Sequence, residues 1–176
     1  AYIETINDYF GSLGCKTDTL YLSNVEVKRE ELHKKIENAD IIYVGGGNTA
    51  YMMKVWQEYA VDKALMKAYK SGKVLSGLSA GSICWFIAGH CDSEFIEGRE
   101  NPKHKWVKGL GIIPYLHCPH YDEPERAAFD EFYSGQIADA IALENQVAIV
   151  WDGYEMKVIK SNPNKNAYKL SWSDTG

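Results

Sequence analysis

The chain has 176 residues, 45% of them hydrophobic and 24% charged, a globular mixture that excludes disordered, collagenous and disulfide-scaffold classes. Nineteen Lys and Arg against 24 Asp and Glu leave a formal charge of −5, which gives nucleic acid and anionic lipid no electrostatic foothold. One domain on one core is expected over residues 1–176, with a short peptide or other small molecule as partner and a homodimer admitted as an assembly. No apolar run approaches the roughly 20 residues that span a bilayer, so no membrane partner is expected. Cys15, Cys84, Cys91 and Cys118 contain no C-x-x-C pair. They fit reduced thiols in the cytoplasm better than zinc or disulfides, and neither a metal nor another cofactor is expected.

Tyr2, Ile3, Ile6, Tyr9 and Phe10 lie at helical spacing, so the chain opens inside a helix, and an α/β fold would place a strand before it that this sequence lacks. Thr19 to Ser23 predicts a strand, Lys28 to Asn38 a solvated helix, and Asp40 to Val44 a buried strand ending in three glycines. Helices are expected over Thr49 to Trp56 and Asp62 to Tyr69, a strand over Lys73 to Leu78, and a helix over Ser79 to Ala88. Gly89 to Lys108 reads as a polar surface excursion. Leu110 to Cys118 is an extended apolar run, and Glu125 to Tyr133 a helix with Ala127, Ala128 and Phe132 inward. Four short strands follow, at Ala138 to Leu143, Val147 to Trp151, Tyr154 to Lys160 and Ala167 to Trp172, with Asp152-Gly153 as a two-residue hairpin turn. The pattern predicts an α/β fold, with a mostly parallel sheet, helices on both faces and an antiparallel β-rich C-terminal end.

Gly77-Leu78-Ser79-Ala80-Gly81 satisfies G-x-S-x-G where a strand passes into a helix, the context in which that motif exposes a nucleophilic serine. The Ala80 N–H, at the start of the helix, is placed to donate to an oxyanion. The competing interpretation is a tight turn with a helix-capping serine. Gly45-Gly46-Gly47-Asn48-Thr49 holds the equivalent strand-to-helix position and lacks both the P-loop ending and dinucleotide spacing. Gly46 or Gly47 is the expected second oxyanion donor, against a plain turn capped by Asn48 or Thr49. In His117-Cys118-Pro119-His120, three-residue spacing along a strand disfavours a shared metal, Cys118 reads as core, and His120 reads as general base.

The glycine loop, Ser79 and His120 all follow strands, and ligands of open parallel sheets bind at that rim. Nucleophile, base and two backbone donors are the elements of acyl transfer. The acid is open between Glu144, after the strand ending at Leu143, and Asp92, which a ten-residue helix would carry away; Asp122 is too local to His120.

These residues match a known pattern. Through VGGGNT at 44–49, GLSAGS at 77–82 and CPHY at 118–121, the sequence resembles the serine peptidase family that contains dipeptidase E (aspartyl dipeptidase) and cyanophycinase, over about Asp40 to Glu144. The resemblance implies a fold similar to class I glutamine amidotransferases, with Ser in place of their Cys. It implies Ser79 as nucleophile, His120 as base, Gly47 with Ala80 as oxyanion donors, and as acid either Asp92 or Glu144, with Glu144 placed first. The family's acidic substrates imply a basic pocket, for which Arg99, Lys103 and Arg126 are candidates; Asn48, Thr49 and Arg126 are assigned to substrate. CPHY departs from the NPHF associated with dipeptidase E, which leaves the substrate side chain open. A serine dipeptidase working through an acyl-enzyme is the expected function. The alternatives are an α/β-hydrolase-type esterase, whose spacing is less compact, and a metabolite-binding module on the same scaffold.

Overall fold

The computed structural model describes residues 2–22 and 28–173. Its first half follows the predicted alternation: α1 (Tyr2–Ser12), α2 (Arg29–Asn38), β1 (Ile41–Val44), α3 (Thr49–Tyr59), α4 (Val61–Lys70) and β2 (Val74–Gly77). Strands β1 and β2 pair in parallel from Ile41↔Val74 to Val44↔Gly77, so the glycine loop and Ser79 leave the same edge. Residues 19–22 form no strand, and Ser23 and Ala1 lie outside the described residues.

The expected helix over Ser79 to Ala88 is corrected to a single turn, α5 (Ala80–Ile83), after which the chain doubles back as β3 (Phe86–Cys91). Gly89 makes this reversal possible, because a Cβ there would run into the Ile83 side chain. Tertiary pairing overrides the local helical pattern. The expected surface excursion also contains structure, namely α6 (Ser93–Ile96) and β4 (Lys105–Lys108), the latter antiparallel to β3. Next come β5 (Ile113–Cys118), α7 (Phe129–Tyr133), β6 (Ala140–Leu143), β7 (Val147–Trp151), β8 (Met156–Lys160) and β9 (Ala167–Leu170). The predicted helix over Glu125 to Tyr133 splits into a 3-10 turn at Pro124–Arg126 and α7. That break turns Phe129 and Tyr133 inward and leaves Ala127 and Ala128 exposed, against expectation, while Phe132 packs on the core as expected.

The main sheet runs β4-β3-β5-β6-β9, with β3, β5 and β6 parallel and the two edge pairings antiparallel. Alternate residues of β6 feed different cores. Ala140 and Ala142 pack with Leu116, Phe129 and Tyr133, while Ile141 and Leu143 join Trp56, Leu65, Trp85 and Phe86. A strand buried on both faces requires the continuous apolar run AIAL seen here, and helices cover both sides. β7 and β8 form the C-terminal hairpin, but Trp151↔Met156 leaves a loop over 152–155 rather than a two-residue turn. Asp152 Oδ1 organises that loop by accepting the N–H groups of Tyr154 (2.9 Å) and Glu155 (2.8 Å). Among the described residues, no helix is long and apolar enough to cross a membrane.

Because β3, β5 and β6 are parallel, Asp92, His120 and the Glu144-Asn145 pair all follow strand ends on one edge. Asp92 therefore does not need the long return that a ten-residue helix would have imposed.

Candidate active site

Two backbone contacts explain the glycines of the pentapeptide. A Cβ on Gly77 would collide with the Gly81 carbonyl, and one on Gly81 with the Val44 carbonyl at the end of β1. The chain between them must bend sharply, and Ser79 takes up the bend at φ 58, ψ −119. Such backbone is sparsely populated outside glycine, costs on the order of 1–3 kcal/mol, and concentrates at functional sites. Ser79 stands at the N-cap position of α5, yet its side chain makes no cap hydrogen bond. The hydroxyl is not used in the way the capping interpretation requires. A Cβ built on Gly46 would lie 3.3 Å from Ser79 Cβ and 3.7 Å from Ser79 Oγ, which places the glycine loop beside the nucleophile candidate. Gly47 holds φ 135, a left-handed value with open space around its Cα.

Asn48 caps α3 through Tyr51 N–H at 2.9 Å, and its amide donates to Glu97 Oε1 at 3.1 Å. Thr49 is buried. Ala50 N–H donates to Ser93 Oγ at 3.1 Å, so the segment that begins at Asp92 is pinned to the start of α3.

His120 also sits in left-handed backbone, φ 56. Its Nδ1 lies 2.7 Å from Asn145 Oδ1, while Asn145 Nδ2 donates to Glu123 Oε1 at 3.0 Å. A carboxylate only accepts, so the Asn145 NH₂ must face Glu123 and its carbonyl must face the imidazole. His120 Nδ1 then carries the proton, and Nε2 keeps a free lone pair, the tautomer a general base needs. Glu123 Oε1 is itself 3.5 Å from Nδ1. Asp122 holds the same loop by accepting Asn145 N–H at 2.7 Å and pairing with Lys165 at 2.5 Å; the Lys165 bond holds the Asp122 carboxyl below its usual range.

Neither expected acid contacts the imidazole through a hydrogen bond. Glu144 spends its carboxylate on β9, accepting Asn166 N–H at 2.8 Å and the Tyr168 hydroxyl at 3.2 Å. Asp92 accepts Arg126 Nη2 at 2.9 Å. Arg126 is only 4% exposed and also donates from Nη1 to His90 Nδ1 at 3.0 Å and to the His90 carbonyl at 3.3 Å. A substrate carboxylate would meet this guanidinium only by displacing Asp92. Arg99 is committed to Glu94 and Glu97. Sequence reasoning missed Asn145 and Glu123; the one available signal was that Asn145 adjoins Glu144 just past a strand end.

His90 and His117 are buried and kept neutral. Burial, with His104 and Arg126 nearby, drives His90 down to about 3. Burial likewise lowers His117 to about 4, against the opposing bond to the Ile141 carbonyl. The Cys118 thiol is pushed up to about 12, chiefly by burial, and Cys84 is also raised by burial, so neither is a thiolate nucleophile. Among the described residues, no group of three or more His, Cys, Asp or Glu side chains converges to hold a metal ion. A cavity of about 640 Å³ between α4 and Gly109-Leu110 shares no residue with this rim.

Comparison with known proteins gives the same direction. The family model of Peptidase family S51 matches residues 1–159. An uncharacterized peptidase, YgaJ of Bacillus subtilis, is 30% identical over 177 aligned residues, covering 98% of this chain and 73% of that protein. Peptidase E of Nostoc is 29% identical over 122 residues, 68% of this chain and 46% of that protein. Among solved structures, a putative peptidase E from Listeria monocytogenes superposes with a TM-score of 0.71 at 21% identity, over 92% of this chain and 78% of that one.

Proposed function

The chain belongs to peptidase family S51, and from that premise we propose that it is a serine-type hydrolase of short peptides, a dipeptidase, acting through an acyl-enzyme. The observation that carries this reading is Ser79 held in strained backbone between two obligatory glycines, its hydroxyl unused as a cap and the glycine loop against it.

Ser79 Oγ attacks the peptide carbonyl and its proton passes to His120 Nε2, which then delivers it to the leaving amine. Water repeats the sequence in reverse to release the acid. Ala80 N–H, with Gly46 or Gly47 N–H, receives the charge of the tetrahedral oxyanion. Asn145 takes the orienting position on Nδ1–H, with the Glu123 carboxylate behind it supporting the imidazolium. Glu144 braces β9, and Asp92 neutralises Arg126. Asn48 and Thr49 serve the loop rather than the substrate.

A fluorophosphonate probe tests the reading. The expected result is one covalent adduct, mapped to Ser79 by peptide mass, with Ser79→Ala losing both the adduct and turnover of a dipeptide library. A folded protein that takes no label and cleaves no dipeptide would instead be a binding module. Product analysis across the library reads the side-chain preference.

A further inference from the structure

Behind the turn at Ser79 lies a pair that this mechanism leaves unused, a half-buried Ser82 against a buried His117. Ser82 Oγ is 2.6 Å from the Ser79 carbonyl and 2.9 Å from His117 Nε2. His117 is wholly buried, bonds the Ile141 carbonyl through Nδ1 at 2.8 Å, and stacks on Phe86 with centroids 4.1 Å apart at 9°. We propose that Ser82 and His117 are positioning residues that aim the Ala80 N–H as an oxyanion donor; the proposal rests on the hydrolase reading of this site.

The peptide joining Ser79 to Ala80 is one rigid plane, so whatever fixes its carbonyl also fixes the direction of its N–H. At φ 58, ψ −119 the chain does not hold that plane by its own preference. The Ser79 carbonyl accepts from Ser82 N (2.9 Å), Ile83 N (3.1 Å) and Ser82 Oγ. The first two bonds belong to a helix of one turn, which has little stability of its own. The third reaches through His117 to β5 and β6, the strands that lead to His120 and Asn145. One line of polar contacts, from the Ser79 carbonyl through Ser82 Oγ and His117 to the Ile141 carbonyl, thus ties the oxyanion donor to the strands that carry the base.

Proton counting shows how the pair responds during reaction. His117 Nδ1 must donate to the Ile141 carbonyl, so in the neutral ring Nε2 is an acceptor. Ser82 then has one proton and two acceptors, the Ser79 carbonyl and Nε2. When Ala80 N–H engages an oxyanion, its peptide polarises and the Ser79 carbonyl becomes the stronger acceptor. The hydroxyl proton then shifts from Nε2 to that carbonyl, one hydrogen bond replacing the other, so the support is greatest when the oxyanion exists, which is what raises kcat.

The test compares wild type, Ser82→Ala and Ser82→Thr in the full chain. It uses the best dipeptide substrate and a peptide boronate that forms a tetrahedral adduct on serine. Ser82→Ala is expected to lower kcat roughly ten- to a hundredfold, below the 10²–10³ of deleting a donor outright. KM should stay within about twofold, boronate affinity should fall by the same factor as kcat, and Ser82→Thr should restore most of both. If Ser82→Ala does not fold, Ser82→Cys, which keeps the volume and weakens the donor, is read by the same criteria. Wild-type kcat and boronate affinity in the folded variant, or a loss confined to thermal stability, overturn the positioning role alone. A wild-type protein that neither turns over peptides nor takes a fluorophosphonate label overturns the hydrolase reading, and this proposal with it.

Discussion

His120 donates its Nδ1 proton to the side-chain carbonyl of Asn145 at 2.7 Å, a neutral amide in the place where a carboxylate is expected. The negative charge stands one residue further back, on Glu123. Asn145→Ala should therefore lower kcat roughly ten- to a hundredfold, part of the 10²–10⁴ that an oriented general base supplies. Glu144→Gln should leave kcat within about threefold. Steady-state kinetics on one dipeptide decide this, and a Glu144→Gln variant as slow as Asn145→Ala would return the orienting role to Glu144.

Asp92 separates stability from catalysis. Arg126 is buried, and removing its carboxylate partner strands a guanidinium; because the Asp92 side chain is 40% exposed, water softens the loss. Asp92→Asn should cost about 1–3 kcal/mol in urea unfolding while the folded enzyme keeps kcat within a few fold. A large loss of kcat at unchanged stability would make Asp92 the triad acid.

Acid should weaken the fold before it titrates the carboxylates. Folded His117 and His90 are depressed to about 4 and about 3, whereas in the unfolded chain both return to about 6.5. Between those values the unfolded state binds more protons, so stability is full above about pH 6.5 and falls as pH drops. The loss between pH 6.5 and 4.5 is on the order of 2 kcal/mol per histidine. Urea midpoints across that range check it, and a flat profile would contradict the burial of these rings.

Gly81→Ala should disrupt the elbow through volume alone. Its Cβ would strike the Val44 carbonyl, and forcing atoms into such a site costs at least about 1–3 kcal/mol. Gly47→Ala meets open space and only backbone strain at φ 135, so its expected stability loss is smaller, and any loss of kcat it shows comes without disruption of the Ser79 turn. Unfolding curves with kinetics on both variants separate the two glycines.

The sequence pattern exposes those parts of the fold that one residue type enforces. Glycines after β1 and β2, and the apolar runs of β5 and β6, announce strand ends, and from them the rim follows. β3 escaped because WFIA in Trp85–Ala88 fits a helix as well as a strand; its pairing with β4 and β5, and Ile83 resting on Gly89, decide between them. Asn145 escaped for another reason. Past the end of β6, strand alternation no longer says which of two neighbours faces the imidazole, and Asn166, just before β9, with Tyr168 on it, draws Glu144 away.

The close fit of Gly81 against the Val44 carbonyl separates two messages carried by one short motif. Any chain that threads this turn under β1 needs glycine at 77 and 81 whether or not position 79 reacts with anything. A related chain with Ala at position 79 would keep both glycines and the whole architecture, yet on the proposed mechanism would hydrolyse nothing. The glycines of the pentapeptide are thus a signature of how the backbone passes itself, and the side chain at position 79, which the fold leaves free of a capping bond, carries whatever the motif says about reactivity.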